Sequence, residues 1–191
     1  MKKKFKTLIF SLTFISPFFT SLIAQEKSEP LHFYFGLDGG YAKVSPSPDL
    51  GIRTRDGFTT SARLLFSNRW SKVSLDFGLG GLFSRMTGND AAGNSEQLMV
   101  SVFLTDVSAR YRFTPRFEFG PQAQVFMGNN AAFSKTINQF WSAFIGGEAV
   151  YRLPVGEPVR LAASFLTDIN IRNQKCYLMT VGIQIGVPIF D

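Results

Sequence analysis

The sequence predicts an all-β fold, an eight-stranded antiparallel up-and-down barrel that crosses a membrane. Three observations predict it. Past the first 30 residues the chain alternates with a period of two, and no segment reads with a 3.6-residue period. Mid-strand charges fall on one parity, aromatic and aliphatic side chains on the other. The connections alternate between long and short, as they do in barrels whose two ends face different compartments.

The N-terminus stands apart from this pattern. Lys2, Lys3, Lys4 and Lys6 precede an apolar run, Leu8 to Ile23, interrupted by Pro17 and ending at Ala24. That is the layout of a cleaved secretory signal peptide over residues 1–24. The alternative, an uncleaved anchor, fits less well, because the apolar run is short and gives way at once to the polar QEKSEP. Residues 25–30 read as a short periplasmic lead and 31–191 as the barrel domain. Removing the four basic-region lysines lowers the formal charge from +6 to +2. The basic balance is then largely an export signal and no argument for a nucleic-acid partner.

Eight strands are predicted, at 31–44, 57–68, 72–86, 97–113, 116–128, 139–153, 158–170 and 176–188. In the first, Phe33, Phe35, Leu37 and Tyr41 share a face and oppose Asp38. In the second, Phe58, Ala62, Leu64 and Phe66 oppose Arg63. In the third, Val73, Leu75, Phe77, Leu79 and Phe83 oppose Asp76. In the fourth, Met99, Phe103, Val107, Ala109 and Tyr111 oppose Asp106, Arg110 and Arg112. In the fifth, Phe117, Phe119, Ala123, Val125 and Met127 oppose Glu118, Gln122 and Gln124. In the sixth, Trp141, Ala143, Ile145, Ala149 and Tyr151 oppose Glu148 and Arg152. In the seventh, Val159, Leu161, Ala163, Phe165 and Ile169 oppose Arg160 and Asp168. In the eighth, Tyr177, Met179, Val181, Ile183, Ile185 and Val187 oppose Thr180, Gly182, Gln184 and Gly186.

A basic residue facing lipid at the bilayer midplane costs about 2–4 kcal/mol. The parity therefore assigns the apolar face to lipid and the charged face to the lumen. Each segment also exceeds the roughly 9–11 residues that a tilted strand needs to cross. Aromatics gather at both ends of the outward face: Tyr41, Phe58, Phe83, Trp141 and Tyr177 at one, Phe33, Phe66, Trp70, Phe113, Phe117 and Tyr151 at the other. Two interfacial girdles would look like this.

The long connections are SPSPDLGIRTRD, TGNDAAGNSE, NNAAFSKTIN and the IRNQK region. The short ones lie around Arg69-Trp70-Ser71, Thr114-Pro115 and Pro154-Val155-Gly156-Glu157. An even strand number puts both chain ends on the short-turn, periplasmic side. Any extracellular ligand would meet the long loops, where Phe133 is an apolar residue in a polar setting.

The whole chain after the signal resembles the small eight-stranded outer-membrane barrels of the OmpA/OmpX type. The most specific feature is at the C-terminus, where Thr180, Gly182, Ile185, Val187 and Phe190 resemble the signal read by the barrel-assembly machinery. Pro188 and the terminal Asp191 depart from the usual form of that signal. The resemblance implies a monomer in the outer membrane of a Gram-negative-type cell. Its partners would be membrane lipid and lipopolysaccharide, and the assembly machinery during biogenesis.

The inward face offers Asp38, Asp76, Asp106, Glu118, Glu148 and Asp168 against Arg63, Arg110, Arg112, Arg152 and Arg160. Eight strands enclose only enough room for side chains to fill the interior. Mutual Arg–carboxylate pairing that fills the lumen is the favoured reading. The rival is a narrow porin-like path for ions or small solutes. A third reading is a soluble, periplasmic, lipocalin-like barrel with its faces inverted around a ligand.

Enzyme chemistry finds no support. His32 is the single histidine, and it lies at the start of the first strand without a serine–acid pair. Cys176 is the single cysteine, so neither an internal disulfide nor a zinc site is expected. No cofactor is implied. The predicted role is structural or surface-interacting.

Overall fold

The computed structural model describes residues 31–44, 55–70, 72–89, 93–129, 141–155, 159–169 and 176–188. The predicted signal peptide (1–24), the lead (25–30), Phe133, Phe190 and the Trp141 side chain lie outside what is described. The strands are β1 (His32–Val44), β2 (Arg55–Arg69), β3 (Val73–Asn89), β4 (Ser95–Arg112), β5 (Phe117–Asn129), β6 (Trp141–Arg152), β7 (Val159–Asp168) and β8 (Cys176–Pro188). Each pairs antiparallel with its chain neighbours, and β8 returns to β1 to close the barrel.

The largest departure from the predicted boundaries is at the β3–β4 hairpin. Its ladder runs up to Asn89↔Ser95, through half of the stretch read as the loop TGNDAAGNSE. The small polar residues there mark a hairpin that continues past the apolar band, where both faces meet water and alternation no longer has to be apolar against polar. Inside β5, Pro121 lacks an N–H, and the ladder to β4 skips from Ser108↔Gln122 to Tyr111↔Phe119. Pro121 keeps its place opposite Gly147 of β6.

The two faces of the wall are chemically opposite. Outward positions stay exposed although apolar: Leu37, Val107 and Ile185 are each about half accessible, and Val181 more so. Inward positions are closed to solvent although charged: Arg63, Arg110, Arg160, Glu118 and Glu148 are all buried. Water cannot be the solvent of such an exterior. An apolar belt around a closed ring of paired strands is the form that a strand protein takes in lipid.

Aromatic contacts cluster at both ends of the belt. Phe33–Phe66, Tyr111–Phe113 and Phe113–Phe117 meet at the short-turn end, with ring centroids 5.3, 5.2 and 6.2 Å apart. Tyr41–Phe58 and Phe165–Tyr177 meet at the other, at 6.3 and 6.1 Å. These separations are those of favourable edge and offset packing.

Glycine makes room inside. A Cβ on Gly78 would stand 1.7 Å from Asp106 Oδ1, and one on Gly182 2.1 Å from Asp38 Oδ1. Both glycines face carboxylates that could not lie against the wall beside a larger residue. Tyr34 lies in the same way over Gly186, whose Cβ would meet its ring at 2.4 Å.

Candidate functional site: the barrel lumen

Alternation aims one residue in two at the axis, so the lumen is built from all eight strands. Two centres organise its charged part. Arg63, on β2, donates from Nε to Asp38 Oδ2 at 2.8 Å and from Nη2 to Oδ1 at 2.9 Å, a bidentate grip on the adjacent strand. Its remaining Nη1 crosses the lumen to Asp106 of β4. Ser61 donates to Asp38 at 3.0 Å and Gln122 Nε2 to Asp106 at 3.4 Å.

Arg110, on β4, is the second centre. It pairs with Asp76 at 2.7 Å, Glu118 at 3.3 Å and Glu148, and donates to Ser108 Oγ at 2.7 Å. Asp76 also pairs with Arg160 of β7 and accepts from Ser67 at 2.6 Å. Glu118 also holds Arg152 at 2.6 Å and faces Arg112 at 3.5 Å. Arg160 donates from Nε to Gln184 Oε1, and its guanidinium lies 3.8 Å above the Tyr34 ring. Tyr34 in turn accepts at its hydroxyl from Arg69, at 2.9 Å.

Ten of the eleven charged residues singled out from sequence thus meet in two clusters, three around Arg63 and seven around Arg110, which together draw on β1, β2, β3, β4, β5, β6 and β7. Asp168 is placed elsewhere. It lies at the far end of β7, opposite Phe144 and half-buried, beside Cys176. Its parity is inward, but parity alone carries no height along the axis.

The upper part of the lumen is mainly apolar and is not filled by ion pairs as expected, although the buried hydroxyls of Thr59, Ser84 and Ser142 lie within it. Ala42, Val44, Leu82, Met86, Val100, Val102, Leu104, Phe126, Phe144, Leu166, Cys176 and Leu178 form one buried apolar cluster. All but Leu104, at the middle of β4, come from the strand halves nearest the long connections. Phe126 and Phe144 are its largest pair, with centroids 4.9 Å apart. The lumen therefore has two layers: ion pairs toward the short turns, packed hydrocarbon toward the long connections. The sequence signal for the second layer was the loss of alternation in runs such as Val102-Phe103-Leu104 and Val125-Phe126-Met127, which are apolar on both faces.

Other contributors had also escaped notice. Ser61 belongs to the Arg63 cluster, and Tyr34, Arg69, Ser67 and Ser108 to the Arg110 cluster, and inward parity alone would have found them. Thr180, Gly182, Ile185 and Val187 lie on β8 as the alternation requires, the first two toward the lumen side, the last two exposed outward. Among the described residues no group of three or more His, Cys, Asp or Glu side chains could hold a metal ion.

Fold and faces together define a transmembrane β-barrel of eight strands, of the kind typified by small outer-membrane barrels. A lipocalin-like barrel is excluded by the same faces, since the charges lie inside and the apolar belt outside. Among solved structures, Neisserial surface protein A is similar over 84% of this chain and 99% of its own, with 16% identity and a TM-score of 0.48. The attachment invasion locus protein of Yersinia pestis, solved with the heparin analogue sucrose octasulfate, is similar over 83% of this chain and 100% of its own, with 9% identity and a TM-score of 0.48. De novo designed transmembrane β-barrels match 85% of this chain and 100% of their own, at 14% identity and a TM-score of 0.42. No family model and no curated protein sequence matches the chain.

Proposed function

We propose that the protein is an integral outer-membrane barrel of a Gram-negative-type envelope, closed to solutes, with a structural or surface-interacting role and no catalytic one. In this reading the long connections face outward and the short turns face the periplasm. The observation that carries it is the content of the lumen. An ion entering from the short turns meets guanidinium and carboxylate groups already paired with one another. Beyond them it meets packed leucine, methionine and phenylalanine, among which the buried hydroxyls of Thr59, Ser84 and Ser142 are too sparse to replace its hydration shell.

The same content argues against an enzyme. Asp38, Asp76, Asp106, Glu118 and Glu148 are each engaged by an arginine, which holds them as ion-pair partners and not as general bases. Specificity would then reside in the long connections, held on a rigid wall. Planar-bilayer recording on the purified barrel tests the closed lumen, and cell fractionation tests the compartment. Reproducible unitary conductance would favour the narrow porin-like path, and release as a soluble protein would sink the membrane assignment.

A further inference from the structure

We propose a binding site for a phosphorylated, acylated glycolipid of the outer leaflet on the outer wall of the barrel, centred on Arg85. The inference rests on the membrane orientation given above.

The site is a groove of about 370 Å³ across β2, β3 and β4, lined on its outward side by Phe58, Thr60, Phe83, Arg85, Met99 and Ser101. Its volume falls in the range of small-molecule sites, about 300–1,000 Å³. The strand register assembles it. Phe58, Arg85 and Met99 form one row across the three strands, and Thr60, Phe83 and Ser101 form the next row toward the membrane centre. Phe58 and Met99 are the most exposed large apolar side chains of the wall, at 78% and 80%. They stand on either side of Arg85 without covering it.

Arg85 is an exception to the rule that built this exterior. The lumen arginines point inward and are paired, whereas Arg85 has outward parity and is exposed. No carboxylate pairs with it among the described residues. The outward carboxylate next along the register is Asp56, opposite Thr87, and the Tyr41 hydroxyl bonds to it. Arg85 sits at the end of the apolar band nearest the long connections, level in register with Tyr41 and Phe58 of the aromatic girdle. A guanidinium at that height beside an apolar groove can donate to a phosphate while acyl chains lie along Phe83 and Met99. In an outer membrane the lipid at that rim is the phosphorylated glycolipid, so the charge and the apolar lining are both complementary to it.

The test is native mass spectrometry of the purified barrel in micelles, with diphosphorylated lipid A, dephosphorylated lipid A and phosphatidylglycerol added in turn. The expected result is retention of diphosphorylated lipid A and weaker retention of the other two. R85Q should weaken lipid A binding about tenfold or more, the scale of a hydrogen bond to a charged group. R85K should keep part of it, and R116Q, at the exposed short turn, should change nothing. R85Q faces outward, so its folding can be checked separately by mobility on an unboiled gel. Equal binding by R85Q and the wild type overturns the site. Phosphatidylglycerol bound as tightly as lipid A overturns the choice of occupant. Conductance would defeat the closed-lumen reading and leave these results standing, because the groove lies on the opposite face of the wall.

Discussion

Asp38 lies in the space that Gly182 leaves on the neighbouring strand. The two are register partners across the β1–β8 seam that closes the barrel, and a Cβ on Gly182 would reach Asp38 Oδ1 at 2.1 Å and the Leu37 carbonyl oxygen at 2.4 Å. The residue that resembles part of an assembly signal therefore also has a packing role at the seam.

That double duty gives the first prediction. Gly182→Ala should destabilise the barrel by about 1–3 kcal/mol through overpacking. The loss should appear in urea unfolding of protein refolded into detergent, where no assembly machinery is present. Ile185→Ser, on the outward face, should leave Asp38 undisturbed. If Gly182→Ala refolds in detergent with wild-type stability and fails only in cells, the packing role is wrong.

Arg110 carries the second prediction. It faces three carboxylates, Asp76, Glu118 and Glu148. Arg110→Met leaves them to repel one another in a closed interior, at a cost of about 3–5 kcal/mol. Combining it with Glu148→Gln should give a total loss smaller than the sum of the two single losses, since the residues share one network. Strict additivity in a double-mutant cycle would mean that the two do not interact.

The third prediction tests which face meets lipid. Leu37 is about half exposed in mid-strand, paired with Ala62 and Ile183. Leu37→Arg should cost about 2–4 kcal/mol in lipid vesicles. Lys43→Arg, at the end of the same face, should be nearly silent. Equal tolerance at both positions would mean that the belt does not cross a bilayer.

Cys176 reports on the apolar layer, in which it is buried. The folded protein should resist maleimide labelling, and unfolding in urea should expose the thiol. Phe144→Ala should destabilise by about 3–5 kcal/mol, as expected of a large aromatic removed from a packed core, and should raise the labelling rate through local opening. Rapid labelling of the wild type would place Cys176 in a hydrated lumen.

Sequence alone carried the strand number, the order and the facing, because each rests on period two. A one-residue slip would have exposed Arg63 or Glu148 to lipid, so facing was strongly constrained. It also carried the ten charges of the two clusters, since lumen charge and lipid-face charge differ so much in cost. It did not carry height along the axis. Asp168 and Asp76 share a parity, and only the register shows that one lies beside Phe144 and Cys176 and the other beside Arg110. Nor did it reveal that the upper lumen is mainly apolar. There both faces are apolar for different reasons, lipid outside and packing inside, and a face count cannot separate them. Gly78 was unreadable for a similar reason: its partner, Asp106, lies on the next strand, and the contact appears only once Gly78↔Asp106 is fixed.

The closed lumen is the claim on which the account turns, and single-channel recording of the purified barrel in a planar bilayer tests it most directly. The account predicts no reproducible unitary conductance from the wild type over a range of voltages and salt. Discrete openings from the wild type, altered when Arg63 or Glu148 is changed, would contradict it and make the charged layer the lining of a pore.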